Sequence, residues 1–205
     1  MQAFVLAGGR GERLRPYTDD RPKPMAEIKD RPFLDLVIEH VASFGFKRFI
    51  LCTGHKSTYI ADYYKKQNDA FTYIISQEIS PLGTAGALAN AKSKIKSNLI
   101  LVLNGDSYCP ANLKNLMEFH FSKKAVATIA LTKLKNDRSF GIVTLNKQEQ
   151  ITGFQEKPIS SESGIINAGI YVFNLDVIDT IPTGYPFSLE TELFPTLIKQ
   201  GNVYG

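Results

Sequence analysis

The chain has 205 residues, 43% of them hydrophobic and 21% charged, a balance that excludes disordered and collagen-like chains and suits one large globular domain. Its net charge of +4 is small and scattered, which argues against a nucleic-acid surface but leaves room for a few cations focused on a small phosphorylated ligand. No stretch approaches the roughly 20 apolar residues of a membrane span, the amino terminus lacks the pattern of a secretory signal, and Cys52 and Cys109 have no partner at metal-binding spacing; a soluble cytoplasmic protein with two reduced thiols is expected.

The apolar run at residues 3–7 ends in glycines and predicts a buried parallel strand entering a loop. That loop is long and basic. Pro32 then opens a helical face of Phe33, Leu34, Val37, Ile38, Val41 and Ala42, closed by Gly45. A strand at 48–53 follows, and a strand, helix and strand in this order form parallel sheet by a right-handed crossover. The alternation continues with a helix near 56–66, a strand at 71–76 and a helix at 84–91 that Thr84 is expected to cap. A strongly apolar strand at 99–103 ends in Asn104, Gly105 and Asp106. After a helix near 112–121 come short strands at 125–132, 141–145, 151–154 and 166–173, read as a mixed extension of the sheet. Helices at 175–181 and 189–199 close the chain, the second with Ser188 as N-cap and Glu190 in its first turn.

Gly8, Gly9 and Gly11 directly after the first strand permit close backbone approach, so that N–H groups can converge on phosphate oxygens. Arg13 and Lys23 add positive charge to the same loop. The dinucleotide fingerprint would run Gly9, Gly11, Leu14 and so lacks its third glycine, and the P-loop pattern is absent. Asp106 stands at the carboxyl end of a buried strand, the edge where open α/β sheets bind ligands, and a carboxylate there can hold Mg²⁺. Asn-Gly-Asp is also ordinary turn chemistry. His40, His55 and His120 read as surface or helix-packing residues rather than general bases.

With Gly8-Gly9-Arg10-Gly11-Glu12-Arg13-Leu14 and then Pro22-Lys23-Pro24, the chain resembles the sugar-1-phosphate nucleotidyltransferases, whose signature is G-G-x-G-x-R-L followed by P-K-P. The resemblance covers nearly the whole chain. It implies an α/β fold, a Rossmann-like three-layer α/β/α sandwich with a mostly parallel mixed central sheet of the nucleotide-diphospho-sugar transferase type. It implies a single domain over residues 1–205, with a nucleotide-binding half at 1–120 and a sugar-phosphate-binding half at 121–205. Leu6, Ala7, Gly8, Gly9, Gly11, Arg13 and Lys23 would hold the nucleoside triphosphate, and Gln77 or Glu78, with Gly83 and Thr84, would line the base. Asp106 would bind Mg²⁺. Asn104, Gly141, Glu156, Lys157, Asn167 and Gly169 would take the sugar phosphate, and Arg13, Lys23 and Asp106 would carry the catalysis.

The implied reaction joins a nucleoside monophosphate to a sugar 1-phosphate with release of pyrophosphate. The segments STYIADYY, PLGTAGAL, VLNGDS and IPTGYPFSLETELFP resemble the heptose- and mannose-1-phosphate guanylyltransferase branch, which implies GTP as the donor. Thymidylyl-, uridylyl- and cytidylyl-transferring relatives share most of the pattern, and a non-catalytic nucleotide- or sugar-phosphate-binding module is the alternative. The expected partners are a nucleoside triphosphate and a sugar 1-phosphate, with no nucleic acid and no membrane; a homo-oligomeric state is left open. Two departures stand out. Glu12 replaces the usual Thr, and family members continue past a strand beginning near Asn202 to a further aspartate, so the second half is expected to be truncated at Gly205.

Overall fold

The computed structural model describes residues 2–9, 11, 20–67, 70–134, 141–155 and 164–205. In chain order the elements are β1 (Gln2–Ala7), a 3₁₀ turn (Lys23–Met25), β2 (Glu27–Ile28), β3 (Arg31–Pro32), α1 (Phe33–Ala42), β4 (Arg48–Thr53), α2 (Ser57–Lys65), β5 (Thr72–Gln77) and α3 (Gly83–Asn90). The chain continues with β6 (Leu99–Asn104), α4 (Leu113–Ser122), β7 (Ala127–Leu134), β8 (Ile142–Leu145), β9 (Ile151–Gln155), β10 (Gly164–Asn174) and α5 (Leu175–Asp179). A π-helical turn (Leu189–Leu193), α6 (Phe194–Gln200) and β11 (Val203–Tyr204) follow.

The main sheet runs β11-β7-β10-β6-β1-β4-β5, with β8 and β9 attached through β10. Strands β6, β1, β4 and β5 are parallel, while β10 is antiparallel to both β6 and β7. This is the mixed sheet expected from the change of texture after residue 121. Both faces are covered, which is why β1, β4 and β6 are nearly continuous apolar runs rather than alternating ones. Helices α1, α2 and α4 pack on one face through Leu34, Val37, Val41, Ile60 and Leu113. Helices α3, α5 and α6 pack on the other through Ala85, Leu88, Val177, Phe194 and Leu197. The α/β/α sandwich expected from the sequence is thus the observed architecture.

The strand order fixes where a ligand can sit. From β1 the chain proceeds outward to β4 and β5, then jumps back across β1 to place β6 on its other side. Such a reversal opens a crevice beyond the carboxyl ends of the strands, between β1 and β6. Register keeps those ends level: Ala7 pairs with Thr53, Thr53 with Gln77, and Leu6 with Asn104.

Candidate active site

Three loops leave the level carboxyl ends and converge. The first begins at Gly8 and returns at Lys23. Its return is nailed down by Pro24 and Met25, which are buried in the 3₁₀ turn, and by the β2–β3 hairpin, whose two-residue turn Lys29–Asp30 has positive φ at both positions. Lys23 is therefore presented from a fixed turn. Its Nζ donates to Asp106 Oδ2 at 2.5 Å, closing an ion pair across the mouth of the crevice. Gly11 packs on the same lysine, for a Cβ there would lie 2.8 Å from Lys23 Cβ. On the β6 side the Gly105 amide donates to the Leu6 carbonyl at 2.9 Å, so Asp106 is pinned beside the start of the glycine loop.

The third loop, after β5, brings in Glu78. Its backbone N–H donates to Thr53 O at 2.8 Å, and its side chain lies over Gly8 and Gly54, where a Cβ on Gly8 would meet Glu78 Oε1 at 2.7 Å. The other carboxylate oxygen accepts from the Leu82 amide at 3.1 Å. Burial pushes the Glu78 carboxyl above its ordinary pKa, and the Leu82 hydrogen bond opposes that shift. Gln77 is exposed, and its carbonyl accepts from Asn90 Nδ2 at 3.1 Å. Of the two residues the sequence left open, Glu78 faces the glycine loop.

The helix that follows is capped in an unexpected way. Thr84 does not cap it: α3 begins at Gly83, and its Ala85 and Gly86 amides both donate to the Phe187 carbonyl at 3.0 Å. The Thr84 hydroxyl is turned outward, donating to Glu190 Oε2 and accepting from the Leu189 amide, both at 2.8 Å. A Cβ on Gly83 would stand 2.7 Å from the same Phe187 carbonyl, so the Gly-Thr pair serves close packing against residues 187–190.

On the far side of Asp106 the antiparallel β10 brings its middle to the same edge, with Ile170 opposite Leu103. A bulge interrupts its pairing with β7 between Asn167 and Tyr171. Gly169 takes φ +76° there, and a Cβ would stand 2.9 Å from Asn104 Nδ2. Asn167 is buried and holds the bulge, accepting from the Gly169 amide and donating to the Tyr171 hydroxyl, each at 2.9 Å. Its backbone amide donates to Gly141 O at 3.0 Å. Asn104 Oδ1 is buried without a hydrogen-bond partner among the described residues. Leu6, Ala7, Gly8, Gly9, Gly11, Lys23, Glu78, Asn104, Asp106, Gly141, Asn167 and Gly169 thus belong to the strand ends and loops of one edge, while Arg13, Glu156 and Lys157 lie outside the described residues. Gly54 and Glu190 were not singled out from sequence. Gly54, at the end of β4 beside β1, carried a signal in its position; Glu190 carried none beyond its place in a helix start.

Asp106 presents a carboxylate at the mouth of the crevice, with one oxygen already facing the Lys23 ammonium. No group of three or more His, Cys, Asp or Glu side chains suited to a metal occurs among the described residues. A carboxylate such as that of Asp106 suits Mg²⁺, which is commonly held by one or two carboxylates with substrate phosphates and water completing its shell.

A family model described as nucleotidyl transferase matches residues 2–205. The chain belongs to the nucleotidyl transferase family. Among its relatives in that family, the mannose-1-phosphate guanylyltransferase of Mycobacterium tuberculosis is 36% identical over 208 residues, covering 100% of this chain and 58% of the relative. The D-glycero-alpha-D-manno-heptose 1-phosphate guanylyltransferase of Aneurinibacillus thermoaerophilus is 33% identical over all of this chain and 88% of its own length. The chain therefore spans little more than half of the mannose-type relative and most of the heptose-type one. The crystal structure of HddC from Yersinia pseudotuberculosis complexed with GMP-PN superposes with a TM-score of 0.86 at 31% identity, over 99% of this chain and 88% of that one. A putative glucose-1-phosphate thymidylyltransferase from Bacillus anthracis shares the fold, with a TM-score of 0.86 at 18% identity over 100% of this chain and 85% of that one.

Proposed function

We propose that this chain is a guanylyltransferase that moves GMP from GTP to a sugar 1-phosphate of the mannose or heptose type and releases pyrophosphate. The observation that carries the reaction class is the meeting of the glycine loop with the Lys23–Asp106 pair at the crevice between β1 and β6. A phosphate oxygen of the sugar 1-phosphate attacks the α-phosphorus of the nucleotide, a P–O bond forms, and the bond to pyrophosphate breaks with its electron pair leaving on oxygen. Both reactants are ionised at neutral pH, so no protein base is needed; the obstacle is repulsion between polyanions and charge shifting at phosphorus. Backbone amides of the loop at Gly8, Gly9 and Gly11, with the ammonium of Lys23, would hold the triphosphate, with Leu6 and Ala7 leading into them. Arg13, Glu156 and Lys157 are assigned to the triphosphate and sugar phosphate by family resemblance. Asp106 would hold Mg²⁺, which when bound supplies further positive charge to the phosphates.

The choice of guanine rests on Glu78. An ionised carboxylate only accepts hydrogen bonds, and the Watson–Crick edge of guanine offers two adjacent donors, the ring N1–H and the exocyclic amino group. Uracil and thymine offer one donor between two acceptors, and a glutamine would suit them better. The guanylyltransferase names of the relatives point the same way. Asn104 Oδ1, buried without a partner among the described residues, supports a sugar hydroxyl as its donor, beside the bare backbone of Gly141 and Gly169; the Asn167 amide, which holds the Gly169 bulge, would back that site. Free Cys52 and Cys109 suit a reducing compartment such as the cytoplasm. Pyrophosphate release from four nucleoside triphosphates against mannose-, glucose- and heptose-1-phosphates tests the reading. Release with GTP and a mannose or heptose phosphate is expected; release with another nucleotide, or nucleotide binding without release under any pairing, would overturn it.

A further inference from the structure

The segment at residues 187–190 has no part in the reaction as written, yet it grips the loop that carries Glu78. The Phe187 amide donates to Leu82 O at 2.8 Å, and the Phe187 carbonyl accepts two amides from the first turn of α3, those of Ala85 and Gly86. Leu82 in turn donates its amide to Glu78 Oε2. One hydrogen-bonded path thus leads from Glu78 through Leu82 to Phe187.

A second grip lies one turn on. Glu190 Oε2 accepts from the Thr84 hydroxyl at 2.8 Å and from the Ser188 hydroxyl at 2.9 Å. The Ser188 oxygen accepts from the amides of Glu190 and Thr191, and the Leu189 amide donates to Thr84 Oγ1. Hydrogen bonds to a carboxylate are about twice as strong as neutral ones, so Glu190 makes strong links in this knot, beside Glu192, whose Oε2 accepts from the Ser188 amide at 2.7 Å. The π-helical turn at Leu189–Leu193 sets Glu190 toward Thr84 at its start. Such turns recur at functional sites because the extra residue redirects side chains.

We propose that Glu190, acting through Thr84, is a positioning residue for base recognition: it holds the 78–86 loop so that the Glu78 carboxylate meets the donor edge of guanine. This rests on the assignment of Glu78 to the base. A clamp of this kind acts on nucleobase choice and leaves phosphate chemistry alone.

The test compares GTP with ITP, which lacks the exocyclic amino group, by calorimetric affinity and by KM and kcat, in Thr84→Val, Thr84→Ser, Glu190→Gln and Glu78→Gln variants. Thr84→Val removes both hydrogen bonds. It is expected to weaken GTP binding about tenfold, the scale of one charge-assisted hydrogen bond, and to erode the preference for GTP over ITP. Thr84→Ser should restore both affinity and preference. Glu190→Gln, which keeps an acceptor but no charge, should fall between and serves if Thr84→Val does not fold. Equal losses for GTP and ITP, or a loss confined to kcat, would mean a merely structural knot and overturn the proposal. If Glu78→Gln abolishes the preference while the Thr84 and Glu190 variants keep it, the clamp alone fails. If Glu78→Gln also leaves it intact, the base assignment itself falls and takes the clamp with it.

Discussion

Lys23 and Asp106 lie 83 residues apart in sequence and one hydrogen bond apart in space. Their side chains are 27% and 38% exposed, so solvent screens the pair and its worth to folding is about 1 kcal/mol or less. In the proposed reaction its value would lie in catalysis, because an ammonium beside phosphate oxygens acts on charge that shifts in the transition state. Lys23→Ala is therefore expected to cut kcat on the order of 10²–10³-fold while barely moving the melting temperature; a near-normal kcat would remove Lys23 from the chemistry. At Glu78 the prediction concerns pH. Burial raises the pKa of its carboxyl, so the acceptor form is lost at a higher pH than for an ordinary carboxylate as the solution is acidified. The KM for GTP should rise on acidification from neutral pH, and Glu78→Gln should flatten that rise; a parallel rise in both proteins would assign it elsewhere. That Gly8, Gly9, Gly11, Lys23 and Asp106 would share one edge was legible in the sequence, because a glycine loop and a carboxylate at strand ends fall on the same side of any parallel sheet. Glu78 over Gln77 was not, because which residue turns toward β1 depends on the pairing of Gln77 with Thr53, a contact made by another strand. Asn167, expected at sugar hydroxyls, has its amide engaged by Tyr171 and Gly169, a partnership that only a bulge creates.

Elements were easiest to read where periodicity ran long and hardest where a turn broke custom. The face of α1 and the apolar run of β4 matched their expected spans, since ten-residue amphipathy and a six-residue buried run leave little choice. The β2–β3 hairpin went unseen because type I′ turns favour Asn-Gly, and Lys29–Asp30 holds two positive φ angles with neither residue. The continuous helix expected at 189–199 is a π turn followed by α6, and Ser188 caps it as the sequence implied, accepting from the Glu190 and Thr191 amides. A different joint governs α4. His120, at its last turn, is buried, with Nδ1 2.8 Å from Thr128 Oγ1 and Nε2 3.1 Å from Asn174 Oδ1. Since an amide oxygen only accepts, Nε2 carries the proton and Nδ1 accepts from the threonine. Burial lowers the pKa of the ring below its ordinary 6.5, and the Asn174 hydrogen bond opposes the shift. The folded state then binds protons less readily than the unfolded chain. Stability should be full above pH ~6.5, the unfolded value, and decline as pH falls through the folded one. The urea midpoint followed from pH 7.5 to 5.5 should drop more in wild type than in His120→Gln; equal slopes would show that other groups set the acid response.

At the scale of the molecule, the two halves expected at 1–120 and 121–205 share one sheet: β10, from the second, pairs along five residues with β6, from the first. They also share α3, whose free amides are capped by Phe187. The crevice takes the Lys23–Asp106 pair and Glu78 from one half and Gly169 with Asn167 from the other. Substrates of opposite halves would therefore meet over a continuous β6–β10 seam rather than across a hinge, and we propose that the chain unfolds as one cooperative unit. Cys52 supplies a probe of the first half, since it is buried in β4 and burial pushes its thiol to a pKa of about 12, which keeps it inert until the strand opens. In a Cys109→Ser background, labelling of Cys52 during urea unfolding should share its midpoint with the far-UV circular dichroism of the whole chain. GTP at a hundred times its Kd should then raise both midpoints together, by about 2.7 kcal/mol of added stability, because a ligand that binds one half stabilises whatever unfolds with it. Were the halves separate units, Cys52 would open at its own midpoint, and GTP would shift that midpoint while leaving part of the dichroism change behind.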